Sequence, residues 1–374
     1  MGVTLVEMGI VYLIRHGQST FNAAGRFQGC CDEPELTEEG RRTADAAGIY
    51  LREAGLQAVV ASPLRRAAQT AHRIHDQVRR GDSRDVSFDT EWDLREIDLP
   101  LWERKTVASI VSEYGGDYQI WRDHPHHFQM KERRPVVDLY QRAEGLWARL
   151  LNRFGGRTIL LATHGGAGRA LIGTAIGIPP SSYHRLQQSN GGISTLEFPG
   201  NDFTQARLTA VNVTDYEGEP LSETKDSKSG PRVLLVPPGD PNSVQHRCAA
   251  MILNQTRLDA VFASTGVCRD SVAELLRGGI HSDATVEVAE TLPARDGSPA
   301  TILWMVDPAR LQSMLANVLG LDEEGGTRFC PIPLTFTVLH YNGAGKFPVV
   351  QGMNLYDATR FDTTPGGASS IRSA

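Results

Sequence analysis

Apolar residues come in short runs along this chain, each closed by glycine, proline or a polar cluster. Residues 10–14 (Ile-Val-Tyr-Leu-Ile), 58–61, 158–163 and 193–198 are four such runs. Unbroken apolarity at that length predicts strands buried on both faces. Between them, residues 38–54 carry a helical pattern, with Thr37 as N-cap and Gly55 just past the end. Ser62-Pro63 predicts a second helix, with Ser as cap and Pro at the first helical position, running to about Val78. A third follows the run at 158–163, near residues 167–176. Strands alternating with helices predict an α/β sandwich around a mostly parallel sheet.

Residues 79–157 break this rhythm. They hold Trp92, Trp102, Trp121 and Trp147 among many charges, with helical stretches near 105–114 and 136–153. They predict an insertion that caps the sheet edge. The stretch 216–231 is rich in Glu, Ser, Lys and Gly and reads as a linker. From 361 to 374 a flexible tail is expected.

Beyond the linker the pattern recurs. Val-Leu-Leu-Val at 233–236 parallels residues 11–14, and Ala-Val-Phe-Ala-Ser at 260–264 parallels Ala-Val-Val-Ala-Ser at 58–62. Thr158/Thr301, Gly177/Gly320, Leu196/Leu339 and Gly200/Gly343 share a constant offset of 143 residues. The chain therefore divides into a catalytic domain over 1–215, a linker over 216–231, a shorter degenerate copy over 232–360 and a tail. The copy has lost most of the cap: 92 residues separate Arg66 from Thr158, but 33 separate Cys268 from Thr301.

Composition narrows the function. The chain has 374 residues and a net charge of −6, which argues against a general nucleic-acid or anionic-membrane binder. Arginine makes up 33 of the 38 basic residues, as a GC-rich bacterial genome would produce. The five cysteines form no Cys-x-x-Cys pair and suggest reduced thiols in a cytoplasm. Met1 to Glu7 carries no signal-peptide pattern, Val6 breaks a myristoylation motif, and no apolar run nears the roughly 20 residues of a membrane helix.

The chemistry lies at the strand ends. The first strand ends in Arg15-His16-Gly17-Gln18-Ser19-Thr20-Phe21-Asn22, the second in Ser62-Pro63-Leu64-Arg65-Arg66, and the third in Thr163-His164-Gly165-Gly166. In α/β folds such ends converge on one crevice. Singly, each segment has an ordinary explanation: a coincidental tripeptide, a helix start, a structural histidine. Jointly they suit phosphoryl transfer. Guanidinium groups bind phosphate oxygens bidentately and stay charged. A neutral imidazole attacks phosphorus and then leaves when water attacks. Arginines and a second histidine supply the positive field, so neither metal nor cofactor is expected. Gly17, Gly165 and Gly166 are expected to let the backbone approach the oxyanion.

These segments resemble the histidine phosphatase superfamily in its phosphoglycerate-mutase-like branch. The resemblance implies a three-layer α/β/α fold, duplicated here, with His16 as the phosphorylated nucleophile. Arg15, Arg66 and His164 complete the implied phosphate pocket, and Asn22 contacts the phosphate. Ser19, Gln28 and Gly165 are further substrate-binding candidates. The family's proton donor lies in a Leu-x-Glu segment, matched by Leu94-Arg95-Glu96, with Glu91, Asp93 and Asp98 as alternatives to Glu96. The family often continues Phe-Gly-x-Trp-Glu-Gly, whereas this chain reads Leu99-Pro100-Leu101-Trp102-Glu103-Arg104, which places Arg104 as a candidate pocket residue. The two-half layout, Gly25–Gly29, Asp93–Leu99 and Leu186–Gly192 are similar to the 2-carboxy-D-arabinitol-1-phosphatase family, whose substrate is a phosphorylated sugar acid. That likeness carries the architecture and a phosphatase activity, not the substrate.

The expected function is a metal-independent phosphoric monoester hydrolase acting on a sugar, sugar-acid or cyclitol phosphate. A phosphomutase and a non-catalytic phosphate-ligand binder are the alternatives. In the second half Pro237-Pro238 stands for Arg15-His16, Cys268 for Arg66 and Asp307 for His164, so no phosphate binding is expected there, leaving stability, pocket lining or subunit contact as its role. His124, His126 and His127 lack a carboxylate or Cys partner at ligand spacing. Lys131-Glu132-Arg133-Arg134 is either a solvated face or an electrostatic gate. The sequence fixes no oligomeric state, and a homodimer stays open.

Overall fold

The computed structural model describes residues 8–81, 85–218, 230–291, 298–341 and 348–360. The first seven residues, linker residues 219–229 and the tail from 361 lie outside the described residues. The apolar runs form strands at their expected places: β1 (Gly9–Arg15), β2 (Ala58–Ala61), β4 (Thr158–Thr163) and β5 (Ile193–Phe198). Two more, β3 (Ser87–Thr90) and β6 (Arg207–Val213), complete the first half. The helices here are the single turn α1 (Thr20–Ala23), then α2 (Glu38–Tyr50), α3 (Arg65–Gly81), α4 (Val107–Asp123), α5 (Pro135–Phe154) and α6 (Gly165–Ile176). The second half has β7 (Pro231–Val236), β8 (Ala260–Ala263), β9 (Val286–Val288), β10 (Ala300–Met305), β11 (Phe336–His340) and β12 (Val349–Leu355). Its helices are α7 (Val244–Asn254), α8 (Arg269–Leu276), α9 (Pro308–Leu319) and the turn α10 (Glu323–Gly326).

The described strands join in one sheet, in the order β3-β2-β4-β1-β5-β6-β12-β11-β7-β10-β8-β9. Read from each edge inward, the two halves repeat one order. Strands β1, β2, β3 and β4 run parallel, and β5 and β6 are antiparallel additions. The antiparallel pairings β6–β12, β12–β11 and β11–β7 turn the second parallel set to run opposite to the first. The carboxyl ends of the two sets therefore lie at opposite edges of the sheet. Thr158 sits beside Ile10 and Thr301 beside Arg232, and Ile159 faces Ala58 where Ile302 faces Ala260, so residue correspondence between the halves follows from the pairing itself.

Alternation along the strands builds two cores. Val11 and Leu13 of β1 point to one face, packed with α5, α6 and α9 through Leu146, Leu171 and Leu315. Tyr12 and Ile14 point to the other, packed with α2, α3 and α8 through Ala47, Ile74 and Val272. The result is a three-layer α/β/α sandwich.

Several expectations need correction. The insertion does not begin at residue 79, because α3 continues to Gly81 and β3 pairs with β2 inside the sheet. Ser-Phe-Asp-Thr lacks an apolar signature because β3 is an edge strand with no fully buried residue. Nor does the insertion extend to 157, since α5 is a layer helix with one buried face. Helix α4 runs on to Asp123, past a non-helical Tyr114 that precedes Gly115-Gly116. Tyr216 is no linker residue: its ring stacks on Tyr50 at 5.2 Å and its hydroxyl donates to the Gly191 carbonyl at 2.6 Å.

A close backbone crossing seats the β1 turn. A Cβ on Gly17 would overlap the Gly40 carbonyl oxygen, and one on Gly40 would overlap the carbonyl oxygen of Gln18. Gly17 is thus required by α2 crossing over it, not by an approaching oxyanion. Helix propensity alone favours Ala over Gly by about 1 kcal/mol at position 40. The overlap reverses the sign, and Gly40→Ala is expected to lose about 1–3 kcal/mol in urea denaturation. A gain in stability would refute the crossing.

Candidate active site

Where β1, β2 and β4 end, His16, Arg66 and His164 are buried together beside the partly buried Arg15. His16 follows β1, and its backbone N–H donates to the Thr163 carbonyl at 2.9 Å. Its Nδ1 lies 2.7 Å from the Gly17 carbonyl oxygen. A carbonyl only accepts, so Nδ1 carries the proton and Nε2 keeps its lone pair. Arg66 Nε–H points at that lone pair from 3.3 Å. The other arms of Arg66 donate to the carbonyls of Cys31 and Gly29, both at 2.8 Å. Arg15 Nη1 donates to the Gln188 carbonyl at 2.6 Å, while its Nε is buried with no partner among the described residues. His164 stands edge-on to His16, with ring centroids 5.2 Å apart. Its Nε2 shares a hydrogen bond of 2.8 Å with Ser62 Oγ, and its Nδ1 is likewise buried and unpartnered. Helix α3 starts at Arg65, so Pro63 is not its first residue and Ser62 is not its N-cap: Ser62 Oγ faces the site and receives the Leu64 N–H at 3.3 Å.

Desolvation dominates the electrostatics. Burial lowers Arg15 to about 10, opposed by Glu96 and assisted by Arg169 and Arg66, so it remains charged at neutral pH. Arg66 is lowered by burial and partly restored by Glu96. His164 falls well below 6.5, first from burial and then from Arg66, His16 and Arg15. It is neutral while these cations have no anion between them. Two unpartnered buried atoms and an excess of positive charge make this an anion site.

Glu96 reaches the site from the loop after β3. Its Oε1 accepts from Ile97 N at 2.8 Å and Ala167 N at 3.0 Å, and its Oε2 accepts from Gly166 N at 3.1 Å. The first amides of α6 thus hold a carboxylate. Gly165 lies against Arg15, and a Cβ on Gly166 would overlap Glu96 Oε1, so protein contacts account for these glycines. The other acids face elsewhere: Asp93 pairs with Arg95 and Arg149, Asp98 with Arg133, and Glu91 accepts from the Asp93 N–H. Arg104 pairs with Glu33 among exposed side chains rather than filling the pocket. Arg133 bridges Asp98 and Asp138.

Ser19 links Asn22 and Gln28 beside the turn. Ser19 Oγ bonds Gln28 Oε1 at 2.8 Å and Asn22 Oδ1 at 3.0 Å. Asn22 Oδ1 also accepts from Asn190 Nδ2 at 3.0 Å. Sequence reasoning missed Asn190 as a site residue. Its Nδ2 also lies 2.9 Å from the His16 carbonyl and 3.1 Å from that of Gly17. Arg142 was missed too: from α5 its Nη2 donates to the Arg95 and Glu96 carbonyls at 2.5 and 3.2 Å, fixing the acid loop. Nothing in the local sequence pairs residue 142 with residue 96. Among the described residues, no group of three or more His, Cys, Asp or Glu gathers as metal ligands. Among the described residues, no helix is long and apolar enough to cross a membrane.

In the second half the equivalent strand ends carry none of this. Pro237 and Pro238 follow β7, exposed Cys268 caps α8, and Asp307 caps α9 by accepting the Arg310 N–H at 2.9 Å.

The site is thus a buried arginine–histidine cluster at parallel strand ends with a carboxylate beside it. The family model of the histidine phosphatase superfamily (branch 1) matches residues 11–211, over half of the chain, and the chain belongs to that superfamily. The 2-carboxy-D-arabinitol-1-phosphatase of Triticum aestivum is 34% identical over 235 residues, covering 62% of this chain and 46% of that protein. A probable 2-carboxy-D-arabinitol-1-phosphatase of Arabidopsis thaliana is 28% identical over 281 residues, covering 74% and 54%. The chain thus spans about half the length of these two relatives. The probable phosphoglycerate mutase GpmB of Salmonella arizonae is 31% identical over 216 residues, covering 57% of this chain and 97% of that protein.

His184 adds a pH dependence. Its Nε2 bonds the Trp121 carbonyl at 2.8 Å, and burial followed by Arg169 lowers it to about 3. A histidine depressed in the folded state stabilises fully above its unfolded value of about 6.5 and loses that stability as pH falls toward the folded value. Folding free energy should therefore drop between about pH 6 and 4 by up to about 1.4 kcal/mol per pH unit from this residue. Urea midpoints over that range should fall less steeply in His184→Gln. Equal slopes would refute the assignment.

Proposed function

We propose that this protein hydrolyses a small-molecule phosphomonoester through a phosphohistidine on His16, without a metal. The supporting observation is the fixed tautomer of His16, whose Nε2 lone pair faces Arg66 and the cationic cluster. Nε2 attacks phosphorus, the bond to the leaving oxygen breaks, and Glu96, in its protonated form, supplies the proton that oxygen needs. Arg15, Arg66 and His164 hold the three equatorial oxygens as charge spreads over them. Water then attacks the phosphohistidine, returns a proton to Glu96 and releases inorganic phosphate. An arriving phosphate would raise the basicity of His164, turning a neutral ring into a donor. The kinship with sugar-acid phosphatases favours a sugar, sugar-acid or cyclitol phosphate as substrate. Five free cysteines suit a reducing compartment such as a cytoplasm.

The kinship with a probable phosphoglycerate mutase supports a second reading, in which the phosphate returns to the substrate. A panel of sugar phosphates incubated in chelator separates them. Hydrolysis predicts free phosphate from wild type and a loss of roughly a thousandfold or more in His16→Ala. Isomerised product without free phosphate favours the mutase. Full activity in His16→Ala would sink both.

A further inference from the structure

The carboxyl ends of β7 and β10 face the sheet edge opposite to His16, so the second half does not reach the site through its own crevice. It reaches the site through β12. At the seam between halves Val211 pairs with Met353. Ile193 pairs with Val213 in one hairpin and Phe336 with Leu355 in the other, which makes Val211 and Met353 counterparts. A local two-fold axis passes between them. The next residues, Asn212 and Asn354, are both buried and both left-handed, with φ of 52° and 54°. Each donates its Nδ2 across the seam at 2.7 Å, Asn212 to the Gln351 carbonyl and Asn354 to that of Thr209.

The crossing is symmetric, and each Oδ1 holds the backbone N–H of a corresponding residue, but what the held segments touch is not. Asn354 Oδ1 accepts from Ile332 N at 3.0 Å and Thr335 Oγ at 2.9 Å, within the second half. Asn212 Oδ1 accepts from Ser189 N at 2.6 Å, and its Nδ2 lies 3.2 Å from Ser189 Oγ. Two residues earlier, Gln187 N donates to the Val350 carbonyl of β12 at 2.9 Å. The alternate members of this segment turn toward the catalytic cluster: the Gln188 carbonyl holds Arg15 and Asn190 holds the His16–Gly17 carbonyls.

We propose that Asn212 is a positioning residue: together with the Val350 and Gln351 carbonyls it sets residues 187–190, and through them Arg15 and His16. The C-terminal half is then a frame for the one working site. This rests on the phosphatase reading of His16. The symmetry supplies the control. Asn212→Gly and Asn354→Gly both keep the left-handed backbone and both delete one cross-seam bond. Turnover of p-nitrophenyl phosphate, inhibition by vanadate and thermal unfolding are compared. Both variants should lose similar thermal stability. N212G should lose about tenfold or more in kcat, with KM within about threefold and weaker vanadate inhibition, while N354G keeps kcat within about twofold. Equal kcat losses, or an unchanged kcat in N212G, overturn the proposal. If N212G does not fold, Asn212→Asp keeps Oδ1 for the Ser189 N–H and removes the Nδ2 donor to the Gln351 carbonyl, and wild-type kcat there overturns it. Wild type that neither turns over p-nitrophenyl phosphate nor responds to vanadate overturns the phosphatase reading instead.

Discussion

Buried positive charge is the constraint around which the N-terminal half is arranged. A guanidinium taken out of water costs several kcal/mol unless its N–H groups find partners. Arg66 finds the carbonyls of Gly29 and Cys31, Arg15 that of Gln188, and Glu96 offsets both. His164 meets the same constraint by giving up its proton. Among the described residues Arg15 Nε and His164 Nδ1 have no partner. In the proposed reading a phosphate would supply the missing charge and acceptors at once.

The acid loop must be held as firmly as the cations. Arg142 and the Cys30 thiol both reach the Glu96 carbonyl, and Thr163 Oγ donates to the Leu94 carbonyl at 2.6 Å. Beyond it Trp102 packs on Phe128 and Trp121, and Trp121 on Tyr183, an aromatic wall that ties the insertion to the end of α6. The insertion is therefore built as a support for one carboxylate.

The second half repeats the strand order of the first but not its strand-end residues. Asp307, at the position of His164, is an ordinary helix cap, and prolines stand at the position of the Arg-His pair. The strand order and the hairpin bulges remain, because they serve burial and not catalysis. Its pairing along β12 also leaves neither β6 nor β12 as an open edge.

The buried strands and the helix cap at Thr37 were legible in the sequence, because each depends on neighbours within a few residues. So was the recurrence of the pattern after the linker. The edge strand β3 was not, since exposure on both faces leaves no apolar signature. Nor were the contacts of Asn190, Arg142 and Asn212, whose partners lie 174, 46 and 139 residues away. Gly17 marks the boundary between the two kinds of knowledge. Its place beside His16 is local and readable. The reason it must be glycine is the backbone of Gly40 passing over it, a contact that exists only once the chain has folded.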